Sequence, residues 1–176
     1  SACTLMGCND DYTELSVGNC YKDSHLAFLG TLMNQPYGTN AEKSALLNNS
    51  CIQWTNVDGD GGNGKLQSLD CYSKGWDGTL METESGDLSS INNFEINNNN
   101  IHGLVPDSIC DMSISSFGSS SLFDLTNNAL CPAPLSQGGF PSCVTGNDKT
   151  DQDTSACTLM GCNDDYTDLS VGNCYK

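Results

Sequence analysis

The first 22 residues of this chain occur a second time, almost unchanged, near its other end. Residues 1–22 (SACTLMGCNDDYTELSVGNCYK) and 155–176 (SACTLMGCNDDYTDLSVGNCYK) agree at 21 of 22 positions, and Asp168 replaces Glu14 at the exception. The two copies begin 154 residues apart. Because chance does not produce such a match, the sequence predicts one complete 154-residue unit followed by the opening of the next, as in a tandem array.

Eleven cysteines are spread along 176 residues that contain only two histidines. This ratio favours disulfides over zinc and indicates an oxidising compartment, so we expect an extracellular protein, secreted or at the cell surface. Residues 1–154 hold eight cysteines, an even number, and the trailing copy adds three. At least one cysteine of the trailing copy is therefore expected to pair further along a longer polypeptide.

The chain is strongly acidic, with 22 acidic and 6 basic residues and a net charge of −16. This charge argues against nucleic acid and anionic membrane surfaces as partners. No apolar run approaches the ~18 residues of a spanning helix, so we expect no membrane insertion. Such a charge would keep the chains of a polymer apart by repulsion, or would be compatible with a medium rich in divalent cations. The simpler explanation is that the charge keeps the protein soluble.

A shorter period lies inside the unit, at residues 88–109 (LSSINNFEINNNNIHGLVPDSI). The segment fits the form LxxLxxLxLxxNxLxGxIPxxL, in which a short strand of period two is followed by a turn and a return segment. A helix would not tolerate the glycine and proline at these places. The asparagine is expected to hydrogen-bond turn backbone groups that have no strand partner. The structural positions are Phe94, Ile96, Asn99, Ile101, Gly103 and Pro106.

This pattern resembles the plant-type leucine-rich repeat, as in polygalacturonase-inhibiting proteins. A weaker match lies 25 residues upstream, with Lys74 at the asparagine position, and another lies 29 residues downstream, with Asn128 there. The resemblance implies an α/β solenoid: a short right-handed leucine-rich-repeat coil with a helical N-terminal cap and a disulfide-closed C-terminal cap. Each coil buries its apolar face only on its neighbours, so about three coils are near the minimum.

The flanking segments resemble the caps of that family. Leu26, Leu29 and Leu32 fall at helical spacing after Asp23, a good N-cap, and predict a cap helix. The predicted organisation is a Cys-containing connector at 1–22, an N-terminal cap at 23–65, about three coils at 66–130, a C-terminal cap at 131–143, a polar linker at 144–154 and the start of the next unit at 155–176.

The same resemblance implies two disulfides, each of which would staple one cap. Cys20 would pair with Cys51, and Cys131 would pair with Cys143. The cysteines of the unit that then remain would form the pairs Cys3–Cys8 and Cys71–Cys110.

One acidic segment matches the start of a calcium-binding loop. Asn56, Asp58 and Asp60 occupy its first ligand positions, but Gln67 stands where the loop would supply a bidentate glutamate. Calcium is the only cofactor that the sequence suggests, and the alternative is an acidic, glycine-rich hairpin that leads into the first coil.

One sequon, Asn48-Asn49-Ser50, makes Asn48 a candidate glycosylation site in an extracellular chain. Its position just before Cys51, in a predicted loop, favours access. The alternative is an unmodified asparagine.

The sequence does not favour an enzyme. His25 falls on the predicted cap helix and His102 in a solvated position of the repeat, so both are expected at the surface. A nucleophile would need one of them as its base.

Two functions remain. In the first, tandem units pack head to tail, with copies of the chain as partners, and form an extracellular fibre or surface appendage, because a repeated heterologous contact generates a filament. The alternative is a recognition module that binds a glycan or a protein on the concave strand face. The outward strand positions Asp70, Glu95 and Asp124 include no aromatic residue, and binding hot spots favour Trp, Tyr and Arg, so the first function is favoured.

Overall fold

A computed structural model describes residues 8–16, 19–55, 63–117, 121–133, 139–159, 167–170 and 173–175; at 156, 158, 159 and in the last two ranges it describes the backbone alone. The strands are β1 (Tyr12–Ser16), β2 (Asn19–Lys22), β3 (Ile52–Thr55), β4 (Asn63–Asp70), β5 (Asn93–Glu95), β6 (His102–Leu104), β7 (Phe123–Asp124), β8 (Ala129–Cys131), β9 (Thr167–Ser170) and β10 (Asn173–Tyr175). The α-helices are α1 (Asp23–Leu32), α2 (Asn40–Leu46) and α3 (Asn147–Thr150), and short 3-10 helices lie at Asp87–Ser90, Asp107–Asp111 and Thr154–Leu159.

Three short strands that are distant in sequence lie side by side and parallel. β4 pairs with β5 and β5 pairs with β7, so that Leu69, Phe94 and Phe123 lie opposite one another. We call each of these three strands, with the chain that follows it up to the next of the three, a layer. The third layer ends at residue 143. The register offsets between layers are those that the repeat spacing predicts.

The core runs between the strands and the returning chain. Phe94 and Ile96 are both fully buried, as the period-two pattern predicts. The rings of Phe28, Phe94 and Phe123 form a row, with centroid distances of 6.1 and 6.2 Å. This row joins α1 to the second and third layers.

The returning chain of each layer also stacks on its neighbour. β6 pairs in parallel with β8, and the 3-10 helices Asp87–Ser90 and Asp107–Asp111 contact each other. Gly103 has a φ of +86°, a left-handed conformation that would strain a residue with a side chain. Pro106 is extended and directly precedes the second of these 3-10 helices. The glycine and proline of the repeat thus lie where the chain turns and returns.

The N-terminal part adds a hairpin and a helix to the first layer. β1 and β2 pair antiparallel, β2 pairs in parallel with the start of β4, and β3 pairs antiparallel with β4. α1 buries Leu26, Leu29 and Leu32 completely, as their helical spacing predicts. The sheet order is therefore β1-β2-β4-β5-β7, with β3 also on β4.

The sequence predicted Asp23 as the N-cap of α1, and this prediction is wrong. The N-cap is Lys22, which makes no side-chain cap hydrogen bond. The Asp23 carboxylate instead accepts hydrogen bonds from Thr13 Oγ1 at 2.5 Å and from Lys43 Nζ at 2.6 Å. The carboxylate therefore connects α1 to β1 and α2 rather than to its own backbone.

His25 is fully buried, so its predicted surface position is wrong. Its Nδ1 accepts a hydrogen bond from Leu66 N at 2.8 Å, and its Nε2 donates to Asp87 O at 2.9 Å. These two bonds hold the neutral imidazole between α1, β4 and the first layer's return segment. Burial lowers the pKa of His25, because it penalises the charged imidazolium.

Acidification should therefore destabilise the protein through His25. The unfolded chain takes up this proton near pH 6.5, whereas the folded protein takes it up only at lower pH. The free energy of unfolding is expected to fall as the pH drops from 6.5 toward the lowered folded pKa, by up to about 1.4 kcal/mol per pH unit. Urea denaturation at a series of pH values should record this slope in the wild type and in His102→Gln, whose histidine is exposed. An equal slope in His25→Gln would contradict the assignment.

All four predicted disulfides are wrong: Cys20–Cys51, Cys131–Cys143, Cys3–Cys8 and Cys71–Cys110 are not formed, since seven of these cysteines have other partners and Cys3 lies outside the described residues. The bonded pairs are Cys8–Cys20, Cys51–Cys71, Cys110–Cys143 and Cys131–Cys157.

Strand pairing explains why Cys20 cannot reach Cys51. Cys20 lies opposite Asn63, at the start of β4, whereas the Cys51 carbonyl accepts a hydrogen bond from Asp70 N, at its end. Seven residues of strand span about 23 Å, far beyond the ~7 Å limit for the Cα atoms of a disulfide. The β3–β4 hairpin instead places Cys51 next to Cys71, with a Cα–Cα distance of 5.1 Å.

Candidate functional site

A row of amide side chains runs through the turns of successive layers. Asn99 Oδ1 accepts hydrogen bonds from Lys74 N at 2.9 Å and Trp76 N at 3.1 Å. Asn99 Nδ2 donates to Cys71 O at 3.0 Å and Ile96 O at 2.8 Å. Asn99 thus satisfies backbone groups of its own turn, as the repeat pattern predicts, and also of the layer before.

Asn128 repeats this arrangement in the third layer. Its Oδ1 accepts a hydrogen bond from Ile101 N at 3.0 Å. Its Nδ2 donates to Ile96 O at 3.0 Å and Leu125 O at 2.9 Å. Each asparagine therefore joins two adjacent layers.

Gln152 continues the row into residues 144–154, which the sequence predicted as a free polar linker. Its Oε1 accepts a hydrogen bond from Leu130 N at 3.1 Å, and its Nε2 donates to Leu125 O and Asp148 O, both at 2.8 Å. Gln152 thus makes the same kinds of hydrogen bond as Asn99 and Asn128, to its own layer and to the layer before. The linker prediction is wrong, because this segment forms a fourth layer on the third.

The fourth layer has a short helix, α3, where the earlier layers have a strand. Between the second and third layers, Ile96 N donates to the backbone carbonyl of Asp124 at 3.0 Å. In the fourth layer, the carboxylate of Asp148 takes the place of that carbonyl and accepts from Leu125 N at 2.7 Å. Asp148 is 5% exposed, and burial together with the Asp124 and Asp151 carboxylates raises its pKa. The Asp148 side chain thus satisfies the Leu125 amide, just beyond the last strand of the sheet.

The trailing copy of the 22-residue segment begins directly on this end of the stack. The 3-10 helix Thr154–Leu159 packs against β8. Cys157, which is the copy of Cys3, is 8% exposed and forms a disulfide with Cys131. Its Sγ lies 3.9 Å from Leu130 O. Residues of the trailing copy therefore pack on β8, in the third layer.

The trailing copy also repeats the backbone pairing of the leading copy. β9 and β10 form an antiparallel hairpin in which Asp168 lies opposite Cys174. Glu14 lies opposite Cys20 in the same way in the hairpin of β1 and β2. The two hairpins thus agree in backbone pairing as well as in sequence.

Three carboxylates lie in register across the parallel strands. Asp70 is paired with Glu95, and Glu95 with Asp124. Asp124 is 9% exposed and accepts hydrogen bonds from Thr126 N at 2.9 Å and Thr126 Oγ1 at 2.7 Å. Partial burial and the Asp70 and Asp124 charges raise the pKa of Glu95. We call these three residues the carboxylate row.

Glu95→Gln is expected to raise the free energy of unfolding at pH 7 by about 0.5 kcal/mol, because like charges directly opposite on paired strands are destabilising. The folded pKa is raised, so the repulsion exists only above it, and the gain should disappear at pH 3, where the carboxyl is protonated. Urea denaturation at both pH values measures this. Glu82→Gln, at an exposed site outside the carboxylate row, should leave stability unchanged, and an equal gain there would contradict the explanation.

The predicted calcium ligands, the glycosylation site and His102 do not form a common site in the described residues. Asn56, Asp58 and Asp60 lie outside the described residues, and the part of the chain that the structure describes contains no group of three or more His, Cys, Asp or Glu that could hold a metal ion. Asn48 is exposed in the turn after α2, and its glycosylation stays a prediction. His102 is on the surface, where its Nδ1 lies 3.6 Å from Asp77.

Comparison with known proteins assigns no family. No protein-family model matches the chain, and no curated protein is significantly similar to it. Over the described ranges, no helix has the length and apolar character needed to cross a bilayer. The four disulfides fit a disulfide-rich protein of an oxidising, extracellular compartment.

Proposed function

We propose that this protein is a structural unit of an extracellular fibre or surface appendage, in which tandem 154-residue units pack head to tail. The layers are the coils of a leucine-rich-repeat solenoid of the plant type. Repeat spacing, parallel strand pairing and the amide row of Asn99, Asn128 and Gln152 support this fold.

The observation that carries the proposal is the packing of the trailing copy on the third layer, where Thr154–Leu159 contacts β8 and Cys157 is bonded to Cys131. Cys162, the copy of Cys8, follows Cys157 by five residues. Five residues span at most about 18 Å, and in the leading copy Cys8 is bonded to β2. The first hairpin of the next unit therefore begins within about 18 Å of the end of this one, which is close enough for the two units to pack together.

Repetition of this contact gives a filament. Copies that are nearly identical make the same contact at every junction, and a repeated head-to-tail contact generates a helical assembly. A net charge of −16 on each chain of this length keeps neighbouring fibres apart by repulsion.

The alternative, a recognition module, has less support. The strand face presents the carboxylate row, and three in-register carboxylates repel one another and anionic ligands. Hot spots of protein interfaces are instead rich in Trp, Tyr and Arg.

Electron microscopy of a polypeptide with six consecutive units tests the fibre. We expect straight or helical filaments of uniform width with one axial repeat. A matched variant with Asp148→Ala and Gln152→Ala in every unit should give irregular particles, and Lys149→Ala, at an exposed position of α3, should give the wild-type filament. Separate beads joined by flexible connections in the wild type would contradict the proposal.

A further inference from the structure

The partner of Cys131 belongs to the following copy rather than to its own unit. Cys157 and Cys3 occupy the same place in the identical segments SACTLMG of the two copies. Cys157 forms a disulfide with Cys131 of β8, in the third layer, and is 8% exposed.

We propose that Cys131 of one unit and Cys3 of the next form a disulfide at every junction of the array, and that the Cys131 end of the stack is the docking surface for Ser1–Leu5 of a second copy. This inference rests on the proposed tandem assembly and names its partner and its bond. Cys3 itself lies outside the described residues, so the assignment comes from its copy.

Cysteine counting supports the assignment. Within one unit, Cys8 pairs with Cys20, Cys51 with Cys71 and Cys110 with Cys143. Cys3 and Cys131 are the two that remain, and the copy of the first is already bonded to the second. If Cys162 pairs with Cys174 as Cys8 pairs with Cys20, Cys3 is, on this proposal, the cysteine of this chain whose partner lies in another unit.

The docking surface is formed by the third and fourth layers together. Gln152 and Asp148 hold the fourth layer on the third. Asp153 N donates to Asn128 O at 2.7 Å and leads the chain toward β8, where Thr154–Leu159 packs. Ser1–Leu5 of a second copy has the sequence of Ser155–Leu159 and fits the same surface.

The bond forms by oxidation of two thiols. Cys131 and Cys3 each lose a proton and together give up two electrons as the Sγ–Sγ bond forms. A small disulfide such as oxidised glutathione accepts the electrons and protons, and its own S–S bond is cleaved to two thiols.

The first test maps the thiols of the 176-residue chain. The native protein is alkylated, digested without reduction and analysed by mass spectrometry. We expect a peptide pair joined through Cys131 and Cys157, with Cys3 alkylated. A disulfide between Cys3 and any cysteine of the same chain, or alkylation of Cys157, would overturn the proposal.

The second test opens the docking surface to another chain. In Cys157→Ser, Cys131 is free, and with oxidised glutathione we expect head-to-tail oligomers that reductant dissolves and that contain Cys3–Cys131 linked peptides. The matched variant with both Cys3→Ser and Cys157→Ser should remain monomeric. Dimers linked only through two Cys3 residues, or no oligomers in Cys157→Ser, would overturn the docking.

These results are distinct from the test of the fibre. A Cys131–Cys157 bond in a six-unit chain that forms no filament would contradict the fibre and leave the junction bond. Uniform filaments in which Cys131 is alkylated would contradict the bond and leave the fibre.

Discussion

Asn99→Ala is expected to lower the free energy of unfolding by about 4 kcal/mol and the melting temperature by about 12 °C. The side chain satisfies two backbone amides and the carbonyls of two adjacent layers, and Asn99 is only 7% exposed. Alanine leaves these groups buried without partners, at a cost of about 1–3 kcal/mol each before water enters. Chemical denaturation and thermal melting measure the effect.

Asn100→Ala is the matched control, because Asn100 is the exposed neighbour in the same turn. It should change stability by less than about 0.5 kcal/mol. Asn99→Asp, which keeps the shape and loses the donor, should be destabilised nearly as much as Asn99→Ala. Equal stabilities of the Asn99 and Asn100 variants would contradict the structural role of the amide row.

Gly78→Ala is expected to destabilise the protein by about 3 kcal/mol, through overpacking against atoms that cannot move. A Cβ at Gly78 would lie 2.0 Å from Thr31 O and 2.3 Å from Leu32 O, in the last turn of α1. The backbone there is fixed, because Thr79 N donates to Thr31 O at 3.1 Å. The first layer and α1 would have to separate.

Gly38→Ala is the control for this substitution. The nearest atom to its added Cβ is Glu42 Oε2, at an ordinary contact distance of 3.6 Å. Denaturation should give a change of less than about 0.5 kcal/mol, of either sign, for this variant. Wild-type stability of Gly78→Ala would contradict the close approach of α1 to the first layer.

Local patterns were sufficient to predict the strands of the first three layers. The spacing of apolar residues around Phe94 placed three strands at the observed offsets, because strand burial has a period of two that is visible in sequence. Helical spacing predicted α1 because a helix that buries one face also leaves a regular apolar spacing in the sequence. Thr39 and Glu42 form a capping box at the start of α2, a pattern that is also visible in the sequence.

Contacts between distant segments could not be predicted in this way. The disulfide partners depend on which ends of β4 the cysteines adjoin, and the family resemblance that suggested Cys20–Cys51 contains no such distance. The burial of His25 arises from its bonds to Leu66 and Asp87, 41 and 62 residues away. Neither contact leaves a periodic signal.

The fourth layer was missed because hydrogen bonds, rather than apolar burial, hold most of it. Residues 144–154 lack an apolar period, and Gln152 and Asp148 replace the usual asparagine and strand carbonyl. A glutamine 24 residues after Asn128 was the available signal. Its longer side chain makes the bonds of an asparagine from a different backbone position.

Small-angle X-ray scattering of a chain with two complete units tests the central claim, that successive units pack through a fixed junction. We predict one rigid, elongated particle, whose distance distribution is fitted by a single arrangement of the two units and is unchanged by salt. A scattering curve that requires an ensemble of freely oriented units would contradict the account.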